Sequence, residues 1–472
     1  MSSGCGDFPN TLTETAAALR SGAVTSVALT EAVIARAEKL DSMIGVYLAR
    51  FDDYAMAAAA TADAELAAGV DRGPLHGIPC GVKDVLAMAE GPTTAQSLIL
   101  DSAWGAGCDA PVVARLKRAG AVITGKTSAM EFGIGLTDAD KPFPIPRNPW
   151  DTMAWPGGSS SGSGAGVAAG LFYAAIGTDT LGSIRIPAGF CGVSGLMPTF
   201  GRVPKSGCVP LGYSLDHVGP LARSAEDCAA VFEVIAGHHP SDPDCVDAPF
   251  AAAASLTGDL AGVRVGVVTE QQITAEADPA LLPSLEAAVA VLAEQGADVR
   301  DVRLPYSAEA VTGSIVTVLA EALAYHRDDL ARRWEDYSDM TRAMIVQGAL
   351  VSGADYVQAQ RVRRVTQHAL AELFTEVDLI VCPTLKVGAP SYDLLKSHCQ
   401  DISWLAGLVN TVYWDFVGNP VLAVPMGFTS GGMPLSMQIA ARPFDEATAL
   451  RAGQVYQKHT SWHLQWPAIC CG

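Results

Sequence analysis

Three residues have the types and spacing to activate a hydroxyl without histidine: Lys83, Ser159 and Ser183. Ser159 stands in Pro156-Gly157-Gly158-Ser159-Ser160-Ser161-Gly162-Ser163-Gly164. Ser183 follows it by 24 residues, in Asp179-Thr180-Leu181-Gly182-Ser183-Ile184-Arg185. Lys83 closes the run Gly77-Ile78-Pro79-Cys80-Gly81-Val82, upstream of both. A serine is a weak nucleophile until a base takes its proton, and a lysine can be that base only when neutral. Free lysine titrates near ~10.4, so catalysis near neutrality needs a shift of about 3 units, within reach of burial. Leu181-Gly182 predicts a tight turn at Ser183, and successive N–H groups in such a turn can converge on one point as an oxyanion hole requires. By position alone, each residue also has an ordinary reading: a turn serine, a Gly/Ser linker, a lysine snorkelling to the surface.

The elements that must hold these residues follow from periodicity. Residues 12–70 read as helices, capped near Thr13-Glu14 and Ser26, with Leu29, Val33, Ile34 and Ala37 at helical spacing. The apolar run 77–82 reads as a buried strand that delivers Lys83. Residues 112–117 read as helix and 121–124 as strand, with Gly120 between them. Glycine and serine content makes 158–164 a loop, and 165–175 has the small apolar residues of a tightly packed helix. Strands are expected at 263–268, 378–382, 420–425 and 435–440, and helices at 281–295 and 357–374. This alternation predicts an α/β sheet sandwich. The turn-rich stretches 239–243 and 269–280 read as surface loops of one unit, and no repeat at solenoid periods is evident.

Composition narrows the function. A chain of 472 residues that is 49% hydrophobic can bury a sizeable core. A net charge of −19 argues against an electrostatic grip on nucleic acid or anionic lipid. Eleven scattered cysteines without a C-x-x-C pair predict reduced thiols in a cytoplasmic setting, and neither zinc nor dithiol chemistry. Residues 1–10 lack the features of a signal peptide, and apolar runs such as 167–177 fall short of the roughly 20 residues of a membrane span. Two motifs read as decoys. Gly120-Ala-Val-Ile-Thr-Gly125-Lys126-Thr127 matches the P-loop string, yet its centre reads as strand. Gly158-Ser-Ser160-Ser-Gly162 matches a nucleophile elbow, for which Asp378 and His459 would be the partners.

The lysine and serine segments resemble the amidase signature family of serine hydrolases. The resemblance extends through Gly73-Pro74-Leu75-His76-Gly77-Ile78-Pro79, Gly125-Lys126-Thr127-Ser128-Ala129-Met130-Glu131-Phe132, Phe190-Cys191-Gly192-Val193-Ser194-Gly195-Leu196-Met197-Pro198-Thr199 and Ser214-Leu215-Asp216-His217-Val218-Gly219-Pro220. Weaker matches follow at Gly418-Asn419-Pro420, Val424-Pro425-Met426-Gly427-Phe428 and Gln438. It implies a single large α/β domain with a central mixed, twisted sheet covered by helices on both faces. Residues 1–70 would form an N-terminal helical segment, 71–230 the catalytic core, and 231–472 the rest of the sheet and the pocket helices.

The resemblance also implies roles. Lys83 is the base, Ser159 the proton relay on a cis peptide bond, and Ser183 the nucleophile. The backbone amides of Thr180, Leu181, Gly182 and Ser183 form the oxyanion hole. From the residues themselves, Ser160 is expected to hold the lysine by a hydrogen bond and Asp179 and Arg185 to make a structural ion pair or backbone ties, with Met130, Gly133 and Ile184 expected beside substrate. No metal or cofactor is implied. Leu181, Ser161 and Met197 depart from the glycine, glycine and lysine usual in the family; a side chain at Leu181 is expected to narrow the acyl pocket.

The function so implied is hydrolysis of carboxamide C–N bonds through an acyl-enzyme, extending to carbamates (urethanase activity) and aryl esters. The expected partner is a small-molecule amide or carbamate, with no nucleic acid or membrane, and a homodimer left open. Two other readings stand beside it. One is a glutamine amidotransferase component of the kind that serves transfer-RNA charging; the other is a non-catalytic binding protein on the same scaffold. The apolar stretch Trp404-Leu-Ala-Gly-Leu-Val-Asn410 weighs against the first, where acidic recognition of glutamine is expected. Trp404, Tyr413, Trp414 and Phe416 are either an aromatic pocket or core.

Overall fold

A computed structural model describes residues 10–248, 256, 258–398 and 402–471. Eleven strands make one mixed sheet: β1 (Tyr47–Arg50), β2 (Pro79–Lys83), β3 (Val122–Thr127), β4 (Ala174–Asp179), β5 (Ser194–Met197), β6 (His217–Ala222), β7 (Arg264–Val267), β8 (Asp298–Asp301), β9 (Leu379–Pro383), β10 (Val421–Phe428) and β11 (Pro434–Ala441). Their order is β1-β3-β2-β4-β6-β5-β10-β11-β9-β7-β8. β3, β2 and β4 run parallel, as do β9, β7 and β8, while the strands between them alternate in direction. The central strands β2 to β6 are buried along their whole length, as expected of strands covered by helices on both faces. The N-terminal segment is not purely helical: β1 extends the same sheet by pairing with β3.

Helix boundaries shift in instructive ways. The first two helices, Leu12–Ser21 and Ser26–Ile44, are capped by Thr11 and Thr25, each upstream of the expected position. Glu14 completes a capping box with Thr11. The helix expected at 165–175 instead spans Ser161–Ala169, so its first turn occupies what reads as loop, and Gly170 ends it at φ 69°. The remainder, from Ala174, is β4. An unbroken run of small residues carries no period to separate helix from strand. Packing settles it: a Cβ on Gly166 would lie 2.1 Å from the Phe172 ring.

The longest helix, Ser307–Arg332, is long and apolar enough to cross a membrane by length and composition alone. Here it packs on the helices Gly353–Glu376 and Val412–Val417 and buries Ala310, Gly313, Thr317 and Val318. Cys80, Cys191, Cys228 and Cys382 are buried free thiols. Cys471 is disulfide-bonded, which corrects the expectation of uniformly reduced cysteines.

Candidate active site

Lys83 is the last residue of β2 and is fully buried. Its Nζ lies 2.8 Å from Ser159 Oγ and 2.7 Å from Thr178 Oγ1. Burial pushes its pKa down to about 7, against the opposing pull of Cys208, Asp179 and Asp216. Removing an ammonium from water disfavours its charge, and two neutral hydroxyls do not restore it. The amine can therefore be uncharged near neutrality and accept a proton from Ser159.

Thr178 takes the place expected of Ser160. The Ser160 hydroxyl does not reach the lysine; it donates to Thr178 O (3.2 Å) and accepts from Thr178 N (3.2 Å), tying the serine loop to β4. Thr178 was legible in principle, because strand alternation puts it on one face with Ile176. The Gly158–Ser159 peptide bond is cis. Just before it, Gly157 has φ 86°, and a Cβ there would sit 2.7 Å from Pro187 Cα.

Ser183 lies in the turn after β4. Ser160 N–H donates to Ser183 O (3.2 Å), which couples the two serine segments. Among the described residues no hydrogen bond engages the N–H groups of Thr180, Leu181 or Ser183. The Gly182 N–H is different, donating to Asp179 Oδ1 at 2.5 Å. Three of the four expected oxyanion donors are thus free, while Gly182 is committed to shaping the turn. It has φ 121°, and a Cβ would come within 2.1 Å of Thr411 Oγ1.

The turn is held by buried charge. Asp179 also accepts from Ile184 N (3.1 Å) and pairs with Arg185 Nε (3.0 Å). Arg185 reaches on to Asp415 (2.6 Å), Thr411 O (3.0 Å) and Gln438 (3.1 Å). Burial acts to raise the Asp179 pKa, but the Arg185 charge and hydrogen bonds hold it below the ordinary value. Burial, with the adjacent Asp179 charge, drives Asp415 well up. Asp415 and Asp216 were not singled out from sequence. Asp216 accepts from Thr180 Oγ1 (2.6 Å), Leu211 N (3.0 Å) and Gly212 N (3.0 Å), and burial raises it to about 6.

Ser159 and Ser183 open together on a cavity of about 110 Å³. Met130, Gly133, Leu181, Ile186 and Phe190 are among its walls, and among the described residues no charged side chain lines it. Ile184 does not reach it. That residue is fully buried in the core packed against the helix Ser161–Ala169, and Ile186 takes the wall position. Of the candidate aromatics, Tyr413, Trp414 and Phe416 are core, while Trp404 packs on the core edge and stacks on His398.

The decoys separate from the site. Lys126 lies in strand β3, bonded to Leu86 O (2.7 Å) and paired with Asp84 (3.0 Å), so no phosphate cradle exists there. Asp378 pairs with Arg264 and Arg442, and His459 Nδ1 contacts Val455 O (2.9 Å), so neither serves Ser160. Among the described residues no group of three His, Cys, Asp or Glu side chains is placed to hold a metal ion.

A mixed sheet that sets a buried lysine against a serine on a cis peptide, beside a second serine in an N–H-lined turn, defines an α/β protein of the lysine-serine-serine type. Comparison with known proteins agrees: residues 28–450 match the family model described as Amidase, and the chain belongs to the amidase signature family. It is 39% identical to a glutamyl-tRNA(Gln) amidotransferase subunit of Roseiflexus sp. (strain RS-1), over 97% of this chain and 98% of that one. It is 38% identical to the putative amidase AmiD of Mycobacterium bovis, over 97% and 96%. A solved structure, described as a vestigial protein complex revealing the origins of an s-triazine catabolic enzyme, superposes with a TM-score of 0.88 at 32% identity. It covers 95% of this chain and 98% of that one.

Proposed function

We propose that this protein hydrolyses amides of apolar acyl groups through an acyl-enzyme on Ser183. One observation carries the reading: the neutral-prone Lys83 contacts Ser159, and Ser159 and Ser183 share an uncharged cavity. Lys83 takes the Ser159 proton as Ser159 takes that of Ser183. Ser183 Oγ bonds to the carbonyl carbon, and the free turn amides receive the oxyanion. Ser159 returns a proton to the departing amine as the C–N bond breaks. Water, deprotonated by the same route, attacks the acyl ester and releases the acid. Carbamates would follow the same steps through a carbamoyl-enzyme.

The test is labelling with a fluorophosphonate followed by peptide mass mapping, alongside turnover of anilides, primary aliphatic amides, carbamates and glutamine. The expected adduct is on Ser183, with anilide hydrolysis. An adduct on Ser160, or no adduct with no turnover, overturns the reading.

A second reading, a glutamine amidotransferase component, is favoured by the 39% identity to the Roseiflexus protein. Glutamine would bring an ammonium and a carboxylate, and burying either without a partner costs several kcal/mol. The catalytic cavity itself offers the ammonium no partner among the described residues, so turnover of glutamine above that of anilides is the result that would promote this reading.

A further inference from the structure

A second chamber of about 800 Å³ adjoins the catalytic cavity, and Ile315, Ala406, Val409 and Val412 line both. Its chemistry is the opposite of its neighbour's. Lys386 lines it, and its half-buried ammonium makes no hydrogen bond or ion pair among the described residues. Burial lowers the Lys386 pKa, and Glu276 opposes this only at longer range. Gln272 also lines it; this side chain is 4% exposed, and its Oε1 is buried without a hydrogen-bond partner. The third feature is the start of the 26-residue helix Ser307–Arg332, whose Ser307 and Ala308 face the same space. That helix begins without a side-chain cap, so its first amides and its dipole are available to an anion.

An ammonium without a hydrogen-bond partner among the described residues and an uncapped helix start both favour a carboxylate. Glu309, exposed on the first turn of the helix, is the opposing charge at the chamber's rim.

We infer that this chamber is a second substrate subsite, which binds a carboxylate carried away from the scissile carbonyl and so makes carboxylate-bearing amides the substrate class. The inference rests on the amidase reading above. The carboxylate sits on either the amine side or the acyl side of the scissile bond, and matched substrates separate the two. N-benzoyl-5-aminopentanoate is compared with N-benzoylpentylamine, and glutaric acid monoanilide with pentanoic anilide. The readout is the ratio of kcat/KM, charged over neutral, within each protein.

Wild type is expected to favour the charged member of at least one pair by about tenfold. Lys386→Gln should bring that ratio to near one, chiefly through KM, and Lys386→Glu should invert it. Ratios near one in wild type for both pairs, or a preference that Lys386→Gln leaves intact, overturn the subsite. Calorimetry of the same two carboxylates on Ser183→Ala needs no turnover. Binding weakened about tenfold by adding Lys386→Gln supports the subsite even if no amide is cleaved, and equal binding overturns it. Loss of turnover on the neutral anilides, by contrast, counts against the amidase reading alone.

Discussion

Two lysines on neighbouring strands are buried to the same degree and differ in their partners. Lys83 ends β2 and Lys126 lies in β3; the register sets Lys83 beside Thr127 and Val82 beside Lys126. Both are fully buried, and burial lowers both pKa values. Lys126 has a carboxylate at 3.0 Å, Asp84, together with Thr93 Oγ1 and Leu86 O. Among the described residues, Lys83 has only two hydroxyls as hydrogen-bond partners. On the reading proposed above, this difference is what makes a buried lysine a base. Desolvation removes the charge unless a counter-ion keeps it, so a structural lysine is given a carboxylate and a proton acceptor is denied one.

The sharpest way to break this contrast is to remove each amine. Lys83→Met should lower amide turnover by roughly 10²- to 10⁴-fold while the protein stays folded. The loss on an activated ester should be much smaller, because its leaving group departs without a proton from Ser159. Equal losses on both substrates would reduce Lys83 to a structural part.

Lys126→Met should do the reverse, costing about 3 to 5 kcal/mol of stability by stranding Asp84. Adding Asp84→Asn should return part of that loss, as measured by denaturant unfolding.

Thr178→Val tests the hydroxyl that holds Lys83. The expected outcome is about a tenfold fall in kcat, since a hydrogen bond of roughly 1 kcal/mol is lost and the amine loses its second anchor. No change would return the anchoring role to another group.

A smaller effect is thermodynamic. The folded pKa of Lys83 lies below its unfolded value, so between about 7 and 10.5 the unfolded chain binds one proton more than the native state. Stability relative to Lys83→Met should then rise with pH across that window, by about 1.4 kcal/mol per unit at most. A difference that is flat across the window contradicts the depressed pKa.

The sequence exposes some of this design and hides the rest for physical reasons. Lys83, Ser159 and Ser183 stand in local motifs, and the alternation of β2 and β3 with helices is readable from apolar runs and glycines. Thr178 and Asp415 were missed because their importance lies in partners far along the chain, as when Asp415 meets Arg185 across 230 positions. Ile184 was expected beside substrate, but the helix beginning at Arg185 turns Ile186 to the cavity, and only the backbone path after Gly182 decides that. Similarly, four amides in a turn look equivalent on paper, whereas Asp179 claims the one on Gly182. The long helix Ser307–Arg332 and the strand β1 escaped notice because tertiary packing outweighs their weak local signals.

The central claim is that Lys83 works as a neutral base within the lysine-serine-serine unit. The most direct measurement is kcat/KM for an anilide as a function of pH, in wild type and in Lys83→Met. The account predicts a rise through an apparent pKa of about 7, which belongs to the coupled unit and is absent from Lys83→Met. A wild-type profile that is flat across neutrality, or that rises only near the ~10.4 of a free lysine, would contradict it.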